Sequence, residues 1–150
     1  MDVVAGFTIC NDVSVRDWQR ASPTMTMGKS FDTHGPLGPF VVTPDELGDG
    51  NGLSIRTFVN DEIRQNGNTS DLIFTIPEMI AHLTSAFTLE PGDVITTGTP
   101  AGTGSNLKPP VWLRAGDIVR VDIEGIGSLE NPVEDEVVSS FIGAERREDD

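Results

Sequence analysis

The alternation of apolar and polar residues along the chain predicts a mainly β protein with one or two short helices. Short apolar runs are separated by turns rich in glycine and proline, of which the sequence has 16 and 10. Such spacing is typical of strands joined by tight connections. The runs that predict strands are residues 3–9, 40–43, 53–60, 62–65, 94–97, 117–124 and 127–133. Asn60 and Asp61 predict a hairpin turn between the third and fourth of these runs.

Two segments carry helical signals instead. Residues 14–20 predict a short helix, on which Arg16 and Gln19 lie three positions apart on one face. A longer helix is predicted to begin at Thr75, because Glu78 three positions on fits a capping box. The apolar positions that follow at helical spacing are Ile76, Met79, Ile80, Leu83 and Phe87. The Pro-Gly-Asp sequence at residues 91–93 is predicted to end this helix.

Length, charge and cysteine content narrow the class of protein. A chain of 150 residues is the size of one ordinary domain. The net charge of -14, from 24 acidic and 10 basic residues, argues against a partner that is nucleic acid or an anionic membrane. Cys10 is the sole cysteine, which excludes a disulfide framework, and no apolar run reaches the roughly 18 residues of a membrane-spanning helix. We therefore expect a cytoplasmic protein, with residues 145–150 forming a solvated end.

Four stretches contain more polar residues and glycines than a structural strand requires. They are residues 11–19, 28–33, 66–71 and 96–104. The last stretch could present backbone N–H groups to an anion, or it could be a turn only. It is not a P-loop, because the lysine and the following Ser or Thr that hold phosphate and magnesium are missing. The sequence also has no Gly-x-Ser-x-Gly elbow, so nothing supports a serine hydrolase.

Several residues have both a structural and a chemical interpretation. Asp12 could cap the first helix, or it could be a hard oxygen ligand for a divalent cation. Lys29 could be a surface lysine, or its ammonium could bind a carboxylate or polarise an enolate. Arg16 could form an intrahelical ion pair or offer a bidentate fork to a carboxylate. His82 lies beside the apolar stripe and is predicted to be structural, whereas the role of His34 stays open.

In their order and spacing, these stretches resemble the fumarylacetoacetate hydrolase family. The segments that carry the resemblance are GFTICNDVSVRDWQ, GKSFDTHGPLGPFVVT, RQNGNTSDLIF, LEPGDVITTGTPAGTG and KPPVWLRAGDIVRVDIEGIGSLEN. The match runs from residue 4 to residue 133, and it is specific because long motifs recur in the family's order. Within the family, the sequence is most similar to the branch that contains FAH-domain-containing protein 2 and hydroxymuconate-type isomerases.

The resemblance implies a fold, a cofactor and a set of site residues. The fold would be a mixed β-roll with a barrel-like core, and the protein would be a homodimer. A divalent metal, Mg²⁺ or Mn²⁺ with Ca²⁺ as a further candidate, would be held by three carboxylates. The substrates would be 2-oxo acids or β-diketones. Carried over by motif, Asp12 would be a metal ligand and Lys29 would stabilise the developing enolate or carboxylate.

Four further residues would contact the substrate by the same resemblance. Arg16 and Gln19 match the positions that contact its polar groups, and we expect a catalytic contribution from them as well as from Lys29. Gly98 and Thr99 match the positions that bind its carboxylate end.

The first two metal ligands of the family are not found where its motif places them. A Glu-x-Glu pair should precede the Asn-Asp motif, yet only residues 1–11 precede Asp12 in this sequence. Glu134-Asp135-Glu136 has a similar composition but lies at the opposite end of the chain. We therefore expect that residues 1–150 are the C-terminal portion of such a catalytic domain. With one ligand of three, this chain alone is expected to have weak or no activity.

Three functions are compatible with the sequence. The leading hypothesis is a metal-dependent hydrolase that cleaves a C–C bond in an acylpyruvate or β-diketo acid. The second is an isomerase or decarboxylase of hydroxymuconate-type or oxaloacetate-like 2-oxo acids, which would share the same site. The third is a non-catalytic β-rich fragment or dimerisation scaffold. The enzyme hypotheses require Asp12, Lys29 and Thr99 to converge on one cleft.

Overall fold

The structure is a computed structural model that describes residues 1–136, and these are mostly β-sheet with a few short helices. The strands are β1 (Phe7–Cys10), β2 (Leu37–Val42), β3 (Ser54–Val59), β4 (Glu62–Asn68), β5 (Ile118–Ile123) and β6 (Gly127–Pro132). The helices are α1 (Arg16–Arg20), α2 (Pro44–Leu47) and α3 (Ile76–Thr84), with short 3-10 turns at Thr26–Lys29, Thr69–Asp71 and Gly104–Asn106. The mainly β prediction is confirmed, while the predicted solvated end at 145–150 lies outside the described residues.

Two antiparallel sheets enclose the core. β1 pairs with β2, and the other four strands pair in the order β4-β3-β5-β6. Ile9 of β1 is fully buried against Val121 of β5 and Ile126 in the β5–β6 turn, so the burial of apolar surface joins the two sheets. The sheets in residues 1–136 are antiparallel throughout, and they do not close into a barrel because the end strands β4 and β6 do not pair with each other. The barrel-like core that the resemblance implied is therefore not a closed barrel in the described residues.

The predicted hairpin is confirmed, and its turn is tied to the next strand. Asn60 has a left-handed backbone with φ 56°, a conformation that asparagine adopts more readily than most residues. Its side chain donates to Asp117 at 3.1 Å and accepts from the Ile118 N–H at 2.9 Å. β4 continues past the predicted end at residue 65 as far as Asn68, because β3 pairs with it over that length.

The capped helix begins where the sequence predicts. The Thr75 N–H donates to the Glu78 carboxylate at 2.8 Å, and the Glu78 N–H donates to the Thr75 hydroxyl at 3.4 Å. The helix ends at Thr84, so Phe87 lies beyond it. His82 is exposed rather than packed beside a core. None of the helices in residues 1–136 has the length and apolar character needed to cross a membrane.

Several predicted boundaries are wrong. Residues 94–97 form no strand, since no strand in the described part of the chain pairs with them. β2 begins at Leu37 instead of residue 40, because it pairs with β1 from there. β1 covers Phe7–Cys10 instead of 3–9. α1 begins at Arg16 without a side-chain cap, and Asp12 binds Lys29 instead.

Lowering the pH is expected to weaken the junction between the hairpin turn and β5. Hydrogen bonds from the Arg114 N–H and the Asn60 amide hold the pKa of Asp117 below its ordinary value. A carboxyl group of this kind stabilises the fold above its unfolded pKa and loses that contribution as the pH falls through its folded pKa.

Thermal unfolding between about pH 7 and about pH 3 tests this expectation. The melting temperature of the Asp117→Asn variant should fall less over this range than that of the wild type. Asp61→Asn, which removes a carboxyl group from the exposed hairpin turn, serves as the control. Parallel pH profiles for the wild type and Asp117→Asn would contradict the expectation.

Candidate active site

A cleft with a volume of about 710 Å³ lies beside the four-stranded sheet. Its walls come from β3 to β6, from the segment that follows β1, and from residues 102–114. The charged and amide side chains that line it are Asn11, Asp12, Arg16, His34, Asn60, Arg64, Gln65, Arg114, Asp117, Asn131 and Glu134. A concave surface with several convergent polar groups is the usual form of a small-molecule site.

Asp12 and Lys29 form an ion pair at this cleft. The Lys29 ammonium donates to the Asp12 carboxylate, and both side chains are a little over one third exposed. The 3-10 turn that carries Lys29 packs on α1, where the Val15 N–H donates to the Gly28 carbonyl at 2.8 Å. Gly28 is required at this contact because a Cβ would overlap the backbone of Gln19. An exposed ion pair contributes little stability, so the structure gains mainly a positioned charge.

Arg16 and Gln19 lie together on α1, as their spacing predicts. An Arg16 terminal nitrogen donates to the Gln19 side-chain oxygen. Arg16 lines the cleft, and its Nε atom is buried without a hydrogen-bond partner in the described residues. Gln19 itself does not line the cleft but orients the guanidinium group that does. The arrangement leaves guanidinium N–H groups for a carboxylate ligand.

Thr99 reaches the cleft through Gln65 of β4. The Gln65 amide donates to the Thr99 hydroxyl at 2.8 Å, and Gln65 lines the cleft. Of the three residues that the enzyme hypotheses require, only Asp12 lines the cleft. Lys29 is linked to it through Asp12, and Thr99 is linked to it through Gln65. Gly98 does not line the cleft and has a φ of 114°. The substrate-binding roles of Gly98 and Thr99 stay predictions.

The stretch at residues 66–71 has a structural explanation. The Asn68 side chain accepts from the Ser70 N–H at 2.9 Å and donates to the Gly52 carbonyl at 3.0 Å. The Asp71 carboxylate accepts from the Asn68 N–H at 3.2 Å, which completes a capping box. These bonds end β4 and hold the following turn, so this stretch supplies no group to the cleft.

Residues 1–136 do not complete a metal site by themselves. Asp12 supplies one carboxylate, and Glu134 lines the same cleft. However, the described residues contain no group of three or more His, Cys, Asp or Glu side chains placed to hold a metal ion. The donor set therefore does not fit a divalent cation without further ligands.

Two other reactive side chains lie near Asp12. Burial raises the pKa of the Cys10 thiol, and the negative charge of Asp12 raises it further. The thiol is therefore protonated at neutral pH and is a poor nucleophile. The His34 ring lines the cleft, with its Nδ1 atom 3.0 Å from the Asp32 carbonyl oxygen.

Sequence reasoning missed two cleft residues on β4, Arg64 and Gln65. Arg64 is mostly buried, binds Glu62 at 3.3 Å, and has an Nε atom without a partner among residues 1–136. Gln65 holds the loop that carries Thr99. The available signal was the pair of long polar side chains next to the apolar alternation of the hairpin, together with their place in the RQNGNTSDLIF motif.

The fold and the cleft together define a β-rich domain with a polar cleft beside its four-stranded sheet. Residues 1–134 match the model of the fumarylacetoacetate (FAA) hydrolase C-terminal family. The chain belongs to this family, as its motifs predict. It spans less than half of the length of the curated relatives it matches, 46% of one and 42% of another.

Proteins similar to this chain include hydrolases, isomerases and a tautomerase. The mitochondrial oxaloacetate tautomerase of Xenopus laevis is 47% identical over 135 residues, which are 89% of this chain and 42% of that protein. The fumarylacetoacetate hydrolase of Exiguobacterium antarcticum is 42% identical, with a TM-score of 0.86 over 90% of this chain and 48% of that one. The 5-carboxymethyl-2-hydroxymuconate delta-isomerase of Mycobacterium smegmatis is 41% identical, with a TM-score of 0.80 over 90% of this chain and 50% of that one.

One solved relative contains a metal and a 2-oxo acid. The maleylpyruvate hydrolase of Sphingobium sp. SYK-6 was solved in complex with manganese(II) and pyruvate. It is 38% identical to this chain, with a TM-score of 0.75 over 89% of this chain and 45% of that one.

Proposed function

We propose that this chain provides the 2-oxo-acid-binding cleft of a metal-dependent hydrolase that cleaves a C–C bond in an acylpyruvate or β-diketo acid. One observation carries the proposal: Asp12 and Arg16 line the same cleft, and Asp12 is paired with the Lys29 ammonium. The manganese and pyruvate in the Sphingobium relative support the same class of ligand.

Each of these side chains has a distinct part in the proposal. Arg16, oriented by Gln19, binds an anionic oxygen pair of the substrate. The Lys29 ammonium stabilises the negative charge that develops on the enolate oxygen when water adds to the acyl carbonyl and the C–C bond breaks. Asp12 would offer one oxygen to Mg²⁺ or Mn²⁺, and the remaining ligands would have to come from outside residues 1–136, which contain no group of three ligating side chains. We further propose a homodimeric, cytoplasmic enzyme.

A second candidate is supported by the oxaloacetate tautomerase, which is 47% identical. Tautomerisation moves one proton between carbon and oxygen and needs no water, while the same cationic side chains stabilise the enolate. The products separate the two functions. A hydrolase releases pyruvate from an acylpyruvate, whereas a tautomerase interconverts the keto and enol forms of oxaloacetate and releases no fragment.

The proposed function is tested first by ligand binding. Oxalate, a mimic of a 2-oxo acid, is titrated calorimetrically in the presence of Mn²⁺ into the complete protein, which contains the remaining metal ligands and is used in the binding tests below as well. We expect Asp12→Ala to weaken binding by at least about tenfold, because it removes a metal ligand from the cleft. Asp61→Ala, in the exposed hairpin turn, should bind like the wild type. Equal affinities for the wild type and Asp12→Ala would refute the assignment of Asp12.

A further inference from the structure

The side chain of Gln65 connects β4 to the loop that carries Thr99. Its Nε2 atom donates to the Thr99 hydroxyl oxygen at 2.8 Å and to the Pro100 carbonyl oxygen at 2.7 Å. The loop also packs on β4, since a Cβ on Gly67 would lie 3.0 Å from the Pro100 ring and one on Gly102 would overlap the β4 backbone. These contacts fix the loop against the wall of the cleft.

The Pro100 carbonyl determines the orientation of the Gln65 amide. A carbonyl oxygen can only accept a hydrogen bond, so the amide atom that faces it must be the NH₂ group. The same NH₂ group faces Thr99, and the Thr99 hydroxyl oxygen therefore accepts. The hydrogen of that hydroxyl has no acceptor among residues 1–136 and can be donated to a ligand.

We propose that Gln65 is a positioning residue that makes the Thr99 hydroxyl a hydrogen-bond donor to the carboxylate of a 2-oxo acid at the rim of the cleft. The inference rests on the function proposed above and adds a residue to it. A hydroxyl that accepts from an amide donates more strongly, because linked hydrogen bonds polarise one another. A carboxylate gains most from such a donor, since hydrogen bonds to charged groups are shorter and stronger.

Two substitutions of Gln65 distinguish its effect on the hydrogen-bond direction of the Thr99 hydroxyl from the effect of its own packing. Gln65→Met keeps the length of the side chain and removes both hydrogen bonds, so the Thr99 hydroxyl can still donate. Gln65→Glu keeps the shape but offers only acceptors, so it takes the Thr99 hydrogen for itself. We expect pyruvate affinity, measured by calorimetry with Mn²⁺ present, to fall about threefold for Gln65→Met and about tenfold or more for Gln65→Glu.

A double-mutant cycle with Thr99 tests whether Gln65 acts through the hydroxyl. Thr99→Ser keeps the donor and should stay within about twofold of the wild type, whereas Thr99→Val should lose about tenfold. In the Thr99→Val background, the uncharged substitution Gln65→Met should cost less than about twofold more. If the loss of pyruvate affinity in the double variant equals the product of the losses in the two single variants, the inference is overturned. Gln65 would then act independently of the Thr99 hydroxyl, only by holding the loop.

The outcomes also distinguish this inference from the proposed function. If Arg16→Ala abolishes pyruvate binding while Gln65→Glu and Thr99→Val leave it unchanged, the inference is overturned and the proposed function stands. If the complete protein, which contains the remaining metal ligands, does not bind pyruvate in the presence of Mn²⁺, both are overturned. Urea unfolding of each variant confirms that binding is compared between folded proteins.

Discussion

Replacing Lys29 by methionine is expected to lower the turnover of a 2-oxo acid by about 100-fold or more, with little change in stability. The close packing of its 3-10 turn on α1 holds the Lys29 ammonium against Asp12, which lines the cleft. Charge that develops on an enolate is stabilised there without prior reorganisation, and methionine removes that charge while keeping most of the apolar stem. Steady-state kinetics of the complete protein, which contains the remaining metal ligands, with an acylpyruvate and Mn²⁺ measure the first effect, and urea unfolding measures the second.

Lys108→Met is the matched control for this substitution. Lys108 is the other lysine of the sequence, is exposed, and does not line the cleft. Its replacement makes the same change in net charge and should leave turnover within about twofold, since the exposed Lys108 charge has no ion-pair partner among residues 1–136 and is screened by salt. Lys29→Arg should recover part of the lost turnover because it restores the positive charge beside Asp12. A Lys29→Met protein that turns over as fast as the wild type would show that the ion pair with Asp12 is only structural.

Turns and helix caps, which depend on residues close together in the sequence, could be predicted from the sequence alone. The turn at Asn60 and the capping box of Thr75 and Glu78 are local signals, and the structure confirms both. Residues 94–97 have the composition of a strand but form none, because a strand needs a partner and composition does not provide one. Asp12 does not cap α1 for a related reason, because its carboxylate binds the ammonium of Lys29, which is 17 residues away in the sequence.

Some residues of the candidate site could likewise be predicted from the sequence, and others could not. The motifs pointed to Asp12, Lys29 and the Arg16–Gln19 pair, and the structure places them at or beside one cleft. Composition and spacing alone left each of them with two interpretations, and the resemblance to a family was needed to choose. Gln65 was missed because its importance lies in contacts with a loop 34 and 35 residues away, which no local pattern encodes.

The loop that carries Thr99 depends on glycine for a reason that can be measured. Gly102→Ala is expected to destabilise the fold by about 2–5 kcal/mol, because alanine meets two separate penalties at this position. The backbone φ is 111°, a region that residues with a Cβ rarely adopt, and the added Cβ would overlap the Arg64 carbonyl oxygen. Urea unfolding of the variant gives the loss of stability directly.

Gly98→Ala separates the two penalties. Gly98 has nearly the same φ, 114°, but no atom lies within 4 Å of the position its Cβ would take. Its substitution should therefore cost only the backbone term of about 1–3 kcal/mol. The loss of unfolding free energy in Gly102→Ala beyond that in Gly98→Ala measures how tightly the loop packs on β4. Because Gly102→Ala displaces the loop, it should also weaken the Gln65–Thr99 hydrogen bond. Equal destabilisation by the two substitutions would mean that the loop moves freely away from β4, and Thr99 would then have no fixed place at the cleft.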